Sequence, residues 1–125
     1  MRALIIDDSS SMRSILRQYM REMKYDVVEA GNGKEALQKC EETKDFTIAL
    51  VDWNMPVMNG LEAAAKLKDI SPNVPIVMLT AFKDHYLEEK AYKTGVTWVL
   101  SKTENATKVL EFARILLRPD SPSAP

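Results

Sequence analysis

The chain has 125 residues, 46% hydrophobic and 28% charged, which suits one compact domain with enough length to bury a core. Seventeen basic residues against eighteen acidic leave a net charge of −1, so no overall field draws it to nucleic acid or an anionic membrane. The lone cysteine, Cys40, excludes an intramolecular disulfide and a multi-cysteine metal site, reads as a small core residue, and fits a reducing compartment.

The first apolar run, 3–6, stops at Asp7-Asp8. It is too short for a secretory h-region, and no later segment nears the ~18 apolar residues of a membrane span, so a cytoplasmic location without membrane insertion is expected. Met12, Ile15, Leu16, Tyr19, Met20 and Met23 then recur with helical period after a cluster of capping serines, and this stripe reads as core. A second strand is expected over 26–29, short and flanked by charge as an edge strand is. Helices are expected over 33–43 and 60–70, on either side of a buried strand at 48–51 that runs into Asp52. Strands over 75–79 and 97–100 bracket a weaker helix at 84–93, in which Leu87, Ala91 and part of Tyr92 face inward; it is expected to be the least firmly held. His85 in that helix has no neighbouring cysteine and reads as a surface residue. Ala106, Val109, Leu110, Ala113, Leu116 and Leu117 mark a last helix, after which the Pro/Ser stretch 118–125 reads as a disordered tail or the start of a linker, giving one domain over 1–117.

Short apolar runs alternating with helical segments are the pattern of a doubly wound parallel α/β sheet covered on both faces, with five strands. In such a sheet ligands gather beyond the carboxyl ends of the strands. Asp7-Asp8, Asp52, Thr80 and Ser101-Lys102 all fall there, so folding collects three acids, a hydroxyl and an ammonium. Converging carboxylates repel by roughly 4 kcal/mol per close pair at an effective dielectric near 20, a cost that a bound cation removes. Taken singly, these residues have plainer readings: Asp8 or Ser9 as a helix cap, Thr80 as an ordinary strand-end hydroxyl, Lys102 as a solvated loop lysine. Asp52 has no such alternative, because a carboxylate after four apolar residues is costly to desolvate without a partner.

The paired acids, Asp52 with Met55-Pro56 and Gly60 after it, and then Thr80 and Lys102, resemble the receiver domain of bacterial response regulators. The resemblance covers residues 1 to about 117. The stretch Asp52-Trp53-Asn54-Met55-Pro56 with Met58-Asn59-Gly60-Leu61-Glu62 is most like the single-domain chemotaxis regulators of the CheY type. The likeness implies a flavodoxin/CheY-like (βα)5 fold with strand order 2-1-3-4-5. It implies Asp52 as phosphoacceptor, taking a phosphoryl group from the histidine of a kinase or phosphotransfer protein, or from a small donor. Mg2+, or Mn2+, would be held by Asp7, Asp8, Asp52 and the backbone carbonyl of Asn54. Thr80 and Lys102 would bind the phosphoryl oxygens, and small Ala81 would leave the donor room. Thr80 and Trp98 are implied as the switch, Trp98 taking the place of a family aromatic that turns inward behind the threonine and re-forms the surface of helix 4, strand 5 and helix 5 for a downstream protein. No direct nucleic-acid contact and no enzyme activity beyond self-phosphorylation and self-dephosphorylation are implied.

Two departures matter. Where the family usually carries Lys-Pro after a cis bond, this chain has Lys102-Thr103; a cis bond before a non-proline residue costs roughly 3 kcal/mol, so trans is expected. Asn54 and Phe82 occupy positions that tune the hydrolytic water in the family, and with one able to bond water and the other not, self-dephosphorylation of intermediate speed is expected. Three other readings compete. A haloacid-dehalogenase-like phosphatase needs an acid two residues after its nucleophile, where this chain has Asn54. A flavodoxin-like carrier could use Ser9, Ser10, Ser11 and Ser14 as a phosphate loop, but Asp7-Asp8 would repel the phosphate and the loop lacks glycine. A receiver module cut from a longer regulator with an output domain is the third.

Overall fold

A computed structural model of the chain describes residues 1–43, 45–53, 55, 58–81, 84–101 and 111. The expected last helix apart from Glu111, the 118–125 stretch and the Lys102-Thr103 bond lie outside the described residues. The elements alternate as β1 (Arg2–Ile6), α1 (Ser10–Glu22), β2 (Asp26–Ala30), α2 (Gly33–Glu42), β3 (Ile48–Asp52), α3 (Gly60–Ile70), β4 (Ile76–Thr80), α4 (His85–Thr94) and β5 (Trp98–Ser101). All five strands pair in parallel in the order β2-β1-β3-β4-β5. The order reverses at β1, which lies between β2 and β3, so a crevice opens beyond the carboxyl ends of β1 and β3.

Burial follows position in the sheet. The inner strands β3 and β4 are buried along their whole length, whereas edge strand β2 is exposed at Asp26 and fully buried only at Ala30. Strand parity divides the core in two. Leu4, Ile6, Ala49, Val51, Ile76, Met78 and Val99 pack against α2, α3 and α4 through residues such as Ala36, Ala64 and Ala91. Their alternates, Ala3, Ile5, Ile48, Leu50, Val77, Leu79 and Leu100, pack with Leu16 and Met20 of α1 on the opposite face. Cys40 sits in the first of these clusters as a buried core residue.

Each of α1 to α4 begins on a side-chain cap that accepts an otherwise unmatched backbone N–H. Ser9, Asn32, Asn59 and Asp84 accept from Met12, Glu35, Glu62 and Leu87. At the other end of α4, Gly95 adopts φ 108°, the left-handed geometry that stops a helix without a Cβ clash. α4 buries Leu87 and Ala91 as expected, but Tyr92, expected to turn partly inward, is 43% exposed. On α1 the buried stripe is narrower than its apolar pattern: Leu16 and Met20 are covered, but Ile15, about 100° around the helix from Leu16, is 44% exposed.

Several strands run one residue beyond the expected ends. Asp52, Thr80 and Ser101 belong to the ladder, so pairing with the neighbouring strand fixes their backbones. At the other end Pro75 falls outside β4, since it has no N–H for the ladder, although its carbonyl accepts from Ala49 N–H at 2.9 Å.

Candidate functional site

The site grows from the carboxyl ends of β1, β3 and β4. Asp7 follows β1 and still donates its N–H to the Ala30 carbonyl at 3.1 Å, so it leaves the sheet in step with the end of β2. Its Oδ1 accepts the Ser9 N–H at 2.9 Å, which folds the chain over into α1. Asp7 and Asp52 are 1% and 2% exposed, buried well beyond what isolated carboxylates tolerate, while Asp8 faces solvent. Carboxylate oxygens of Asp7, Asp8 and Asp52 lie within 4.8 Å of one another.

That spacing matches one small hard cation. Around octahedral Mg2+ with oxygens at about 2.1 Å, adjacent ligands stand about 3 Å apart and opposite ones about 4.2 Å. An all-oxygen donor set of three carboxylates suits Mg2+ or Mn2+ over metals that prefer nitrogen or sulfur. The choice between Asp8 and Ser9 as helix cap falls to Ser9, whose Oγ accepts from Met12 N–H at 3.2 Å, so the Asp8 carboxylate is not used as a cap. Ser14 Oγ accepts from Arg17 Nη2 at 2.9 Å, so the serines proposed for a phosphate loop partly serve α1 itself.

Behind Asp52 the chain is tightly held. Trp53 N–H donates to Leu79 carbonyl at 2.8 Å and Gly60 N–H to Trp53 carbonyl at 2.9 Å, so the start of α3 folds back on the end of β3. Gly60 backs so closely onto the Asp52 carbonyl that a Cβ has no room there. Thr80 ends β4 beside Asp52's partner Leu79 and is itself 3% exposed. Next to it a cavity of about 420 Å³ opens between Trp53, Ala81 and the start of α4, with Leu87 and Lys90 in its wall. It gives space beside Thr80 and Ala81 for a group arriving at the strand ends.

The reading of Trp98 as the residue behind Thr80 is corrected by the register. In β4, Ile76 and Met78 face the α2–α4 side and Val77 and Leu79 the α1 side, so alternation puts Thr80 on the α2–α4 side. Trp98 pairs with Val77 and packs against the α1-side cluster, on the opposite face. The β5 residues on Thr80's face are Val99, which is 1% exposed, and Ser101, which pairs directly with Thr80. The inward position belongs to Val99, one residue along.

Asn54, Phe82 and Lys102 lie outside the described residues. His85 is exposed at the start of α4, as expected. Arg13, which no sequence pattern singles out, reaches back across the first turn of α1 and donates to the Asp7 carbonyl at 2.6 Å. Its place in a helix period marks it as partly exposed, but only the folded loop shows what it touches.

The sequence profile of the response regulator receiver domain matches residues 3–114. The chemotaxis protein CheY1 of Helicobacter pylori is 41% identical over 99 residues, covering 77% of this chain and 80% of that protein. Among solved structures, CheY4 of Vibrio cholerae superposes with a TM-score of 0.86 at 30% identity, covering 93% of this chain and 98% of that one. The response regulator TrrA of Thermotoga maritima, in complex with Mg2+-BeF, superposes with a TM-score of 0.81 at 27% identity, covering 93% and 98%. With the fold, strand order and acidic cluster agreeing, the chain belongs to the response regulator receiver family, the phosphoacceptor signalling domains of two-component systems, as a CheY-like member.

Proposed function

We propose that Asp52 is the phosphoacceptor and that Asp7, Asp8 and Asp52 form the Mg2+ site of a cytoplasmic signalling switch contained in residues 1–117. The observation that carries the reading is the buried Asp52 carboxylate, at the end of β3 and within 4.8 Å of the other two acids, with Thr80 ending the neighbouring strand. The Mg2+-BeF complex of the related TrrA supports it.

Asp52 Oδ attacks phosphorus, forming the P–O bond of an aspartyl phosphate, as the P–N bond to a kinase or phosphotransfer histidine breaks, or the P–O bond of a small donor. Asp7 is held by its backbone and side-chain bonds, so its carboxylate needs little rearrangement to act as a metal ligand. Asp7, Asp8 and Asp52, with the Asn54 carbonyl as a further ligand by family likeness, would hold Mg2+, which would supply positive charge to offset the repulsion among the carboxylates and the negative charge on the phosphoryl oxygens. The Thr80 hydroxyl and the Lys102 ammonium then bind those oxygens, and Ala81 keeps the approach open. A phosphoryl group of charge about −2 draws Thr80 towards it, and the movement passes to α4 and β5 to favour one of two packings read by a downstream protein.

Incubation with acetyl phosphate and Mg2+, followed by intact-protein mass spectrometry, tests the assignment. The expected result is a gain of one phosphoryl group that does not form when EDTA is present from the start and is absent from Asp52→Asn. Labelling that persists in Asp52→Asn overturns it.

A further inference from the structure

We propose that Arg13 is a positioning residue for the carboxylate cluster, clamping the Asp7 backbone to edge strand β2 through Glu29. This rests on the reading of Asp7, Asp8 and Asp52 as a Mg2+ site. One guanidinium joins two elements: Nη1 donates to the Asp7 carbonyl at 2.6 Å, and Nε stands 3.5 Å from Glu29 Oε1. The Asp7 carbonyl belongs to the peptide linking two of the three acids, so its position sets the direction in which both side chains leave the backbone. Glu29 is in turn anchored from two helices. Arg17 Nη1 of α1 lies 2.8 Å from its Oε2, and Lys39 Nζ of α2 donates to its carbonyl. Arg13 and Glu29 side chains are 23% and 27% exposed, covered enough for the clamp to persist in water.

Charge and position predict opposite effects here. A cation beside the acidic cluster lowers Mg2+ affinity through space, so removing it should tighten binding if charge were its only influence. As a positioning group it does the reverse, since groups that orient metal ligands raise affinity. Lysine separates the two, because it keeps the charge but has a single nitrogen in place of the fork that reaches both Asp7 and Glu29.

The test is a titration of the full chain with MgCl2 alone, reading tryptophan fluorescence and the Mg2+-dependent rise in melting temperature. Both Arg13→Lys and Arg13→Met should weaken Mg2+ binding by roughly 10-fold, while Arg21→Met, which removes a charge from the exposed side of α1 without touching Asp7 or Glu29, stays within about twofold. Unchanged affinity in Arg13→Lys, or equal or tighter binding in Arg13→Met, overturns the clamp and leaves the metal site standing. A wild-type chain that responds to Mg2+ in neither readout overturns the metal site itself. Melting in metal-free buffer reports folding, and if Arg13→Met does not fold, Glu29→Asp takes its place: it keeps the charge and shortens the reach, so weaker Mg2+ binding supports the clamp and unchanged binding refutes it.

Discussion

Gly60→Ala tests how closely α3 is built against the strand that ends at Asp52. A Cβ at position 60 would stand 2.5 Å from the Asp52 carbonyl oxygen and 2.8 Å from Trp53 Cα, both backbone atoms that no side-chain rotation can clear. Relief requires the α3 start and the end of β3 to separate by several tenths of an ångström, against the 2.9 Å bond from Gly60 N–H to the Trp53 carbonyl. Overpacking of this kind costs roughly 1–3 kcal/mol, only partly offset by alanine's advantage over glycine of up to about 1 kcal/mol in a helix. A net loss of about 1–2 kcal/mol corresponds to a fall of roughly 4–8 °C in melting temperature. Because the displaced carbonyl belongs to Asp52, Mg2+ affinity should fall as well. Gly33→Ala is the control: its Cβ would meet Met58 Sδ at 2.8 Å and Cγ at 3.1 Å, which rotation of a flexible side chain can move, and Met58 Cβ at 3.1 Å, which needs to give by only a few tenths of an ångström. Thermal melts with and without MgCl2 decide the matter. A Gly60→Ala chain that melts at or above the wild-type temperature with unaltered Mg2+ response refutes the argument, as does a Gly33→Ala chain that loses as much.

Asp52→Asn should melt higher than wild type in EDTA, since it removes the repulsion between Asp52 and two carboxylates that lie within 4.8 Å of it, and should lose most of the rise that Mg2+ confers. Tyr25→Phe should stabilise the chain by about 1 kcal/mol in urea melts, because the buried Tyr25 hydroxyl has no hydrogen-bond partner among the described residues. Burial pushes the Tyr25 phenol up to about 12, above its unfolded value near 10, so the neutral phenol's support for the fold is intact below pH 10 and fades between 10 and 12; the advantage of Tyr25→Phe should widen over that interval. Trp53 follows Asp52 directly and Trp98 lies on the other face of the sheet, so Trp53→Phe should abolish the Mg2+ fluorescence response and Trp98→Phe should preserve it.

Periodicity and turn chemistry were enough to find every described strand and helix to within a residue or so, because those signals are local. The apolar runs that end at Asp7 and Asp52 read as buried parallel strands since both faces are covered, and Gly60–Ile70 begins after Asn59, a strong cap. The acidic cluster was legible for the same reason: three strand-end acids must meet if the strands are parallel and adjacent. Contacts that depend on two elements packing were not legible. Arg13 meets Asp7 only once α1 lies beside β1, and Gly60 is hard against Asp52 only once α3 has folded back. Ile15 looked like core because one apolar residue in a helix period resembles another until the width of the covered face is known.

Trp98 illustrates the sharper limit, the parity of a strand. With a side-chain period of two, a placement one residue out moves the whole assignment through the sheet, and Trp98, one residue before Val99, sits on the face opposite Thr80. The mechanical consequence follows from the ladder. Thr80 pairs with Ser101, and Val99 occupies the buried position on the same face, one strand spacing from Met78. A valine has one dominant rotamer and no bulk to exchange between an inner and an outer site. On the proposed mechanism, movement of Thr80 would reach the outer surface through displacement of the β4–β5 ends and of α4, whose buried residues are Leu87 and Ala91, instead of through rotation of a β5 ring. The shallow burial of α4 and the open cavity between it and Thr80 would then act together: among the described residues, a helix that buries two side chains beside free volume is the element that a small displacement at a buried threonine would shift.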